Sequence, residues 1–170
     1  MKIQSINNLE FAVSEQIIAD NVDIVDMQRL SNMLILQPTP QHAAKIQYTL
    51  AGSAKKYSLP SLHLTIDAKL PVACQRCLNE MSVQLNLKFD YLVTQAEPAD
   101  YDGNDDLDWL EASQSMLVWE LIEDELLIAF PIAPVHPTEH SSTCVQHSMQ
   151  SGEKPNPFSV LKSLVNKPNA

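Results

Sequence analysis

The residues best placed to do chemistry are two cysteines three apart, in Cys74-Gln-Arg-Cys77. Two thiolates so spaced on a tight turn can face one metal ion and supply half of a tetrahedral zinc site. Candidates for the other half lie together in His136-Pro-Thr-Glu-His140-Ser-Ser-Thr-Cys144. The expectation is a structural Zn(II) held by Cys74, Cys77, Cys144 and either His136 or His140. The competing reading is a plain turn closed by two small side chains. A redox role is the weaker third, because redox CxxC pairs open a helix after a strand and this pair joins two strands. Three cysteines, an odd number, fit reduced thiols or ligands better than secreted bridges.

A second chemical cluster is carboxylic. Glu120, Glu123, Asp124 and Glu125 fall within two turns of an apolar-periodic segment, with Glu120, Glu123 and Asp124 at spacings of three and four. Like charges so placed repel and need solvent or a cationic partner. Helices that build dinuclear metal sites carry a histidine three residues after the acid, which this one lacks. Contact with a basic protein and a simply solvated face are the two readings that remain. Glycines at 52, 103 and 152 cannot build a phosphate loop. Neither GxSxG nor HExxH is present. The chain is therefore not expected to be an enzyme or to take a small-molecule substrate.

Eleven basic against twenty-one acidic residues give a net charge of -10, which argues against a protein that coats nucleic acid. The charge is unevenly spread. Residues 45–88 hold six cations and two acids, whereas residues 89–153 hold fourteen acids and no Lys or Arg. Such asymmetry predicts two surfaces with different partners. Lys69, Arg76 and Lys88 are the candidate RNA contacts, and Glu120, Glu123, Asp124 and Glu125 the candidate contacts to a basic protein. Residues 1–13 carry one Lys and no sustained apolar run. Neither a signal peptide nor a membrane span is expected, and the predicted location is the cytoplasm.

Apolar residues alternate through Leu62, Leu64, Ile66, Ala68 and Leu70, and again from Met81 to Tyr91. This period predicts two antiparallel strands with one buried face. Ile46, Tyr48 and Leu50 predict a third before Gly52. The wet face would carry His63, Thr65, Asp67, Lys69, Gln84, Asn86 and Lys88. Val118, Leu121, Ile122, Leu126 and Ala129 recur at helical spacing and predict a covering helix over 115–130, ended by Pro131. Short helices are expected near 14–20 and 27–33, and an exposed acidic loop over 94–108. The predicted class is α+β: a curled antiparallel sheet, a meander or partial barrel, covered by one main helix, with small N- and C-terminal helices. Expected boundaries are 1–40 (helical or irregular), 41–135 (sheet and covering helix), 136–157 (extended polar linker) and 158–170 (short helix and tail).

Three motifs in order resemble one family. They are Cys74-Gln-Arg-Cys77 on a hairpin, the helix Val118-Trp-Glu-Leu-Ile-Glu-Asp-Glu-Leu-Leu-Ile-Ala-Phe-Pro131 running into Ile-Ala-Pro-Val-His136, and Lys154-Pro-Asn-Pro-Phe158-Ser-Val-Leu-Lys-Ser-Leu164. Together they look like the YceD family, gammaproteobacterial branch. The resemblance implies a ribosome biogenesis factor supporting synthesis, processing or stability of 23S rRNA, with no assigned catalytic residues. It places the family's cysteine pair at Cys74 and Cys77 and its acidic helix at Glu123, Asp124 and Glu125. The implied partners are pre-23S rRNA, a basic large-subunit ribosomal protein, or both. The alternative is an acidic holding module for such a protein without RNA contact.

Overall fold

A computed structural model describes residues 5–34, 45–54, 59–96, 107–137 and 144. Two compact units are distinguished, Met1–Val135 and His136–Ala170. All regular elements described here belong to the first. They are β1 (Ser5–Ile6), α1 (Asn8–Val13), β2 (Ile17–Asp23), a 3-10 turn (Ile24–Asp26), α2 (Gln28–Met33), β3 (Lys45–Ser53), β4 (Ser61–Ala73), β5 (Glu80–Thr94), β6 (Leu107–Glu111), β7 (Met116–Leu117) and α3 (Val118–Ala129). None of the described helices is long and apolar enough to cross a membrane.

β4 and β5 form where the period-two pattern predicts, and both are longer than the pattern alone marks. Their antiparallel register runs unbroken from Ser61↔Leu92 to Ala73↔Glu80. Leu62, Leu64, Ile66, Ala68 and Leu70 are buried on one face, while Asp67 and Lys69 are exposed on the other. β3 pairs with β4, and β2 with β3, both antiparallel.

The sheet is open, in the order β2-β3-β4-β5-β6, and is neither curled nor closed as the sequence led us to expect. A physical reason lies in the register. Closing a sheet needs bulges or glycine kinks that bend the strands, and the thirteen successive pairs of β4 and β5 contain none. Nor is it a pure meander, because β6 pairs parallel to β5, from Asp90↔Leu107 to Thr94↔Glu111.

The cover is also broader than one helix. Phe11 and Ala12 of α1, Ile24 and Met27 from the segment before α2, Leu30 of α2, and Val118, Leu121, Ile122 and Leu126 of α3 join a single buried cluster with the sheet. Residues 17–20, expected to be helical, instead begin edge strand β2, and the helix lies before them. Asn7 caps α1 by accepting a hydrogen bond from Glu10 N–H at 3.1 Å. Glu15, at φ 52°, turns the chain back into the β-branched run of β2. The expected helix over 27–33 is present as α2. α3 starts at Val118, not 115, because Met116 and Leu117 pair with Ile6 and Ser5. Most of the expected acidic loop and the whole expected terminal helix lie outside the described residues.

Candidate metal centre and the acidic helix

The β4–β5 hairpin closes in a knuckle. Cys74 N–H donates to Asn79 O at 2.9 Å and Leu78 N–H to Cys74 O at 2.8 Å, with residues 75–77 in the turn between. Leu78 has φ 62°, a left-handed conformation that costs a non-glycine residue free energy. Gln75 N–H donates to Pro134 O at 2.8 Å, which fixes the chain two residues before His136.

One ligand atom from each of Cys74, Cys77, His136 and Cys144 lies within 4.8 Å of the others. Cys74 and Cys144 are buried, and Cys77 and His136 are half-buried. Around tetrahedral Zn(II), bond lengths of about 2.0–2.3 Å put ligand atoms roughly 3.3–3.8 Å apart. Three soft sulfurs and one imidazole suit zinc better than magnesium or calcium, which prefer oxygen. The cluster could hold a metal such as zinc. Its histidine is His136; His140 lies outside the described residues.

The candidate RNA contacts lie along the same hairpin. Lys69 and Lys88 are exposed on the wet face of the sheet, and Arg76 is exposed in the knuckle. A groove of about 520 Å³ crosses that face over β2 to β5. An apolar cavity of about 320 Å³ lies near the knuckle between Val72, Ala73, Leu127, Phe130 and Pro134.

The acidic residues of α3 do not form one outward cluster, which corrects the sequence reading. Glu123 is 1 % exposed. Its Oε1 accepts from the backbone N–H groups of Arg29 and Leu30 at 2.9 and 3.1 Å, and its Oε2 accepts from Arg29 Nε at 2.8 Å. It thereby caps α2, whose own N-cap residue, Met27, has no side chain able to do so. Its carboxylate is turned inward and cannot meet a partner protein. Asp124 accepts from Arg29 Nη1 at 2.6 Å, and the two carboxylates raise the Arg29 guanidinium pKa. Glu120 stays exposed.

Glu125 accepts a hydrogen bond from the buried Tyr91 hydroxyl at 2.7 Å. Burial, then the neighbouring Glu125, pushes the Tyr91 pKa up. Burial also raises the Glu125 carboxyl above the ordinary 4.5, helped by Asp108 and Asp124 and opposed by the Tyr91 bond. Because its folded pKa lies above its unfolded one, Glu125 contributes stability below about pH 4.5 and loses it as pH rises through the folded value. Glu125→Gln keeps the acceptor and removes the charge. Thermal melts should show the variant more stable than the parent at pH 7, with the gap vanishing below about pH 4.5. A gap independent of pH would refute this origin.

Residues 62–165 match the profile of the family described as large ribosomal RNA subunit accumulation protein YceD. The chain belongs to the YceD family. The match begins at β4 and takes in the knuckle, α3, His136 and Cys144, leaving β1 to β3 outside. A large ribosomal RNA subunit accumulation protein YceD from Haemophilus influenzae is 28% identical over 134 residues, covering 71% of this chain and 74% of that protein. No solved structure matches. All four members of the Cys/His cluster thus fall within the YceD match, as does the Tyr91–Glu125 pair. Arg29, to which Glu123 is bonded, falls before it, so the family motif alone does not disclose what Glu123 does.

Proposed function

We propose that this protein is a non-catalytic ribosome biogenesis factor that supports synthesis, processing or stability of 23S rRNA in the cytoplasm. The β4–β5 hairpin is its contact with pre-rRNA. One observation carries the reading: the hairpin that bears the Cys/His cluster at its tip also displays Lys69, Lys88 and Arg76 along its wet face and turn. The YceD relationship supports the ribosomal half, since the Haemophilus relative is named for accumulation of the large ribosomal RNA. Cys74, Cys77, His136 and Cys144 hold a structural Zn(II), which supplies no reactivity and fixes the shape of the tip. The inward turn of Glu123 and the pairing of Asp124 and Glu125 leave Glu120 as the acidic residue of α3 best placed for a basic ribosomal protein. This favours RNA contact over a purely protein-holding role.

Protein purified without chelator should carry one equivalent of zinc, and Cys77→Ser should carry none. In a strain lacking the native copy, the unaltered protein should sediment with large-subunit precursors and restore the 23S to 16S ratio. Cys77→Ser should restore it poorly. An unchanged ratio on deletion, with the protein at the top of the gradient, would overturn the biogenesis reading. Absence of zinc from active protein would overturn only the metal.

A further inference from the structure

The wet face of the sheet has an order that the hairpin alone does not show. Register places Asn21, Gln47, Asp67 and Asn86 opposite one another on four successive strands. Strands about 4.8 Å apart make this a continuous row of amide and carboxylate side chains roughly 14 Å long. The next row toward the knuckle holds Lys69 opposite Gln84, with Lys45 opposite Asp23 and one residue beyond the Ile46↔Ala68 pair. The next row the other way holds Thr49, Thr65 and Lys88. Cations therefore flank the polar row on both sides, each about 7 Å from it. The 520 Å³ groove lies over the polar row and the Lys88 row.

We propose that this face binds single-stranded RNA, with base edges hydrogen-bonded by the row Asn21, Gln47, Asp67 and Asn86 and phosphates taken by Lys45, Lys69 and Lys88. The inference rests on the biogenesis reading and extends its contact from the hairpin to β2 and β3. Amides offer both a donor and an acceptor and can pair with the edge of an unstacked base. Gln84 Nε2 donates to one oxygen of Asp67 at 2.6 Å, which orients that carboxylate while its second oxygen can accept from a base amino group. None of the residues in the polar row or in the two flanking rows is Phe, Tyr or Trp, so recognition there is by edges and not by stacking. Duplex RNA is a poor fit, because its deep, narrow major groove hides the base edges. In a chain of net charge -10, three lysines flanking an amide row match a ligand with charge on its backbone and hydrogen-bonding groups on its bases.

The test is fluorescence anisotropy of the full chain with labelled oligo(A), oligo(C) and oligo(U) RNAs of about twelve nucleotides, and with an RNA duplex of equal length. Unaltered protein should prefer single strands and discriminate among the homopolymers. The variant K45A/K69A/K88A should bind on the order of tenfold more weakly, with a log–log salt slope shallower by about 2, from three lost phosphate contacts. The variant Q47A/N86A should keep the salt slope and lose the discrimination. All substituted side chains are on the open face, so melting curves should match the parent. Duplex bound as tightly as single strands, or both variants behaving as the parent, would overturn the inference. If deletion lowers 23S rRNA and both variants restore it fully, this face is wrong and the biogenesis role stands. An unchanged 23S level on deletion would remove the role itself.

Discussion

Replacing Glu123 by alanine should destabilise the first unit by about 3 kcal/mol, the loss expected for a buried charged acceptor that satisfies backbone donors. The carboxylate meets the N–H groups of Arg29 and Leu30 with one oxygen and the Arg29 guanidinium with the other. Leu30 is fully buried, so its N–H would have no water to replace the lost partner. The Arg29 side chain is about half exposed and would be resolvated. The cost therefore falls mainly on the uncapped first turn of α2 and less on the broken ion pair. Glu123→Gln should lie between, because its carbonyl oxygen can still accept from the two amides. Asp124→Ala, which removes only an exposed partner of Arg29, should cost at most about 1 kcal/mol. Urea denaturation followed by tryptophan fluorescence ranks the three. Glu123→Ala within 0.5 kcal/mol of the parent, an ordinary surface effect, would show that α2 does not depend on this cap.

That cap explains what the sequence could and could not disclose. Period-two alternation marked β4 and β5, because each must bury one face and wet the other. Their edges were harder to read. β6 is short, follows residues that look like a loop, and gains its place from five parallel pairs with β5. Ser14 to Asp20 has no clean alternation and so does not announce β2, and an edge strand paired on one side only needs none: Ile17, Ala19 and Asp20 are all exposed. Its identity is set by seven pairs with β3, a tertiary fact. The curl of the sheet could not be judged either, since it depends on bulges that only the register reveals.

The site divides in the same way. A turn that carries Cys74 and Cys77 is a local feature, and the alternating strands on either side place it at a hairpin tip. The Gln75–Pro134 hydrogen bond, which ties Pro134 to the knuckle, joins positions far apart in the chain and leaves no mark on the local pattern. Helix spacing groups Glu123 with Glu120 and Asp124 and so points it outward. Its partner stands 94 residues away. One signal was available: α2 starts after Met27, which cannot cap, and Arg29 and Lys2 are the only cations before Lys45. A helix without its own cap beside an isolated arginine calls for a carboxylate from elsewhere. Lys45 and Asn21 lie outside the hairpin, and only the pairing of β2 and β3 with it brings them onto its wet face.

Substitution of Gly52 should produce the other large loss of stability, for a reason that is steric and not conformational. Gly52 lies within β3 opposite Leu62, and its N–H donates to Gln16 O at 2.8 Å. A Cβ there would stand 2.4 Å from Phe11 O and 2.8 Å from Ala12 Cα. Those are backbone atoms of α1 and cannot rotate aside, so either the helix lifts or the strand shifts. Lifting α1 withdraws Phe11 and Ala12 from the core, and shifting β3 strains its pairing with both β2 and β4. Gly52→Ala should therefore cost about 2–3 kcal/mol and Gly52→Val more, at or above the upper range for overpacking. Ala51→Ser, one residue away on the wet face, should stay within about 0.5 kcal/mol of the parent. Amide exchange should distinguish the two responses: a lifted helix speeds exchange in α1 alone, whereas a shifted strand also speeds it along β2 and β3. An unchanged denaturation midpoint for Gly52→Ala would mean that α1 does not pack on β3 this closely.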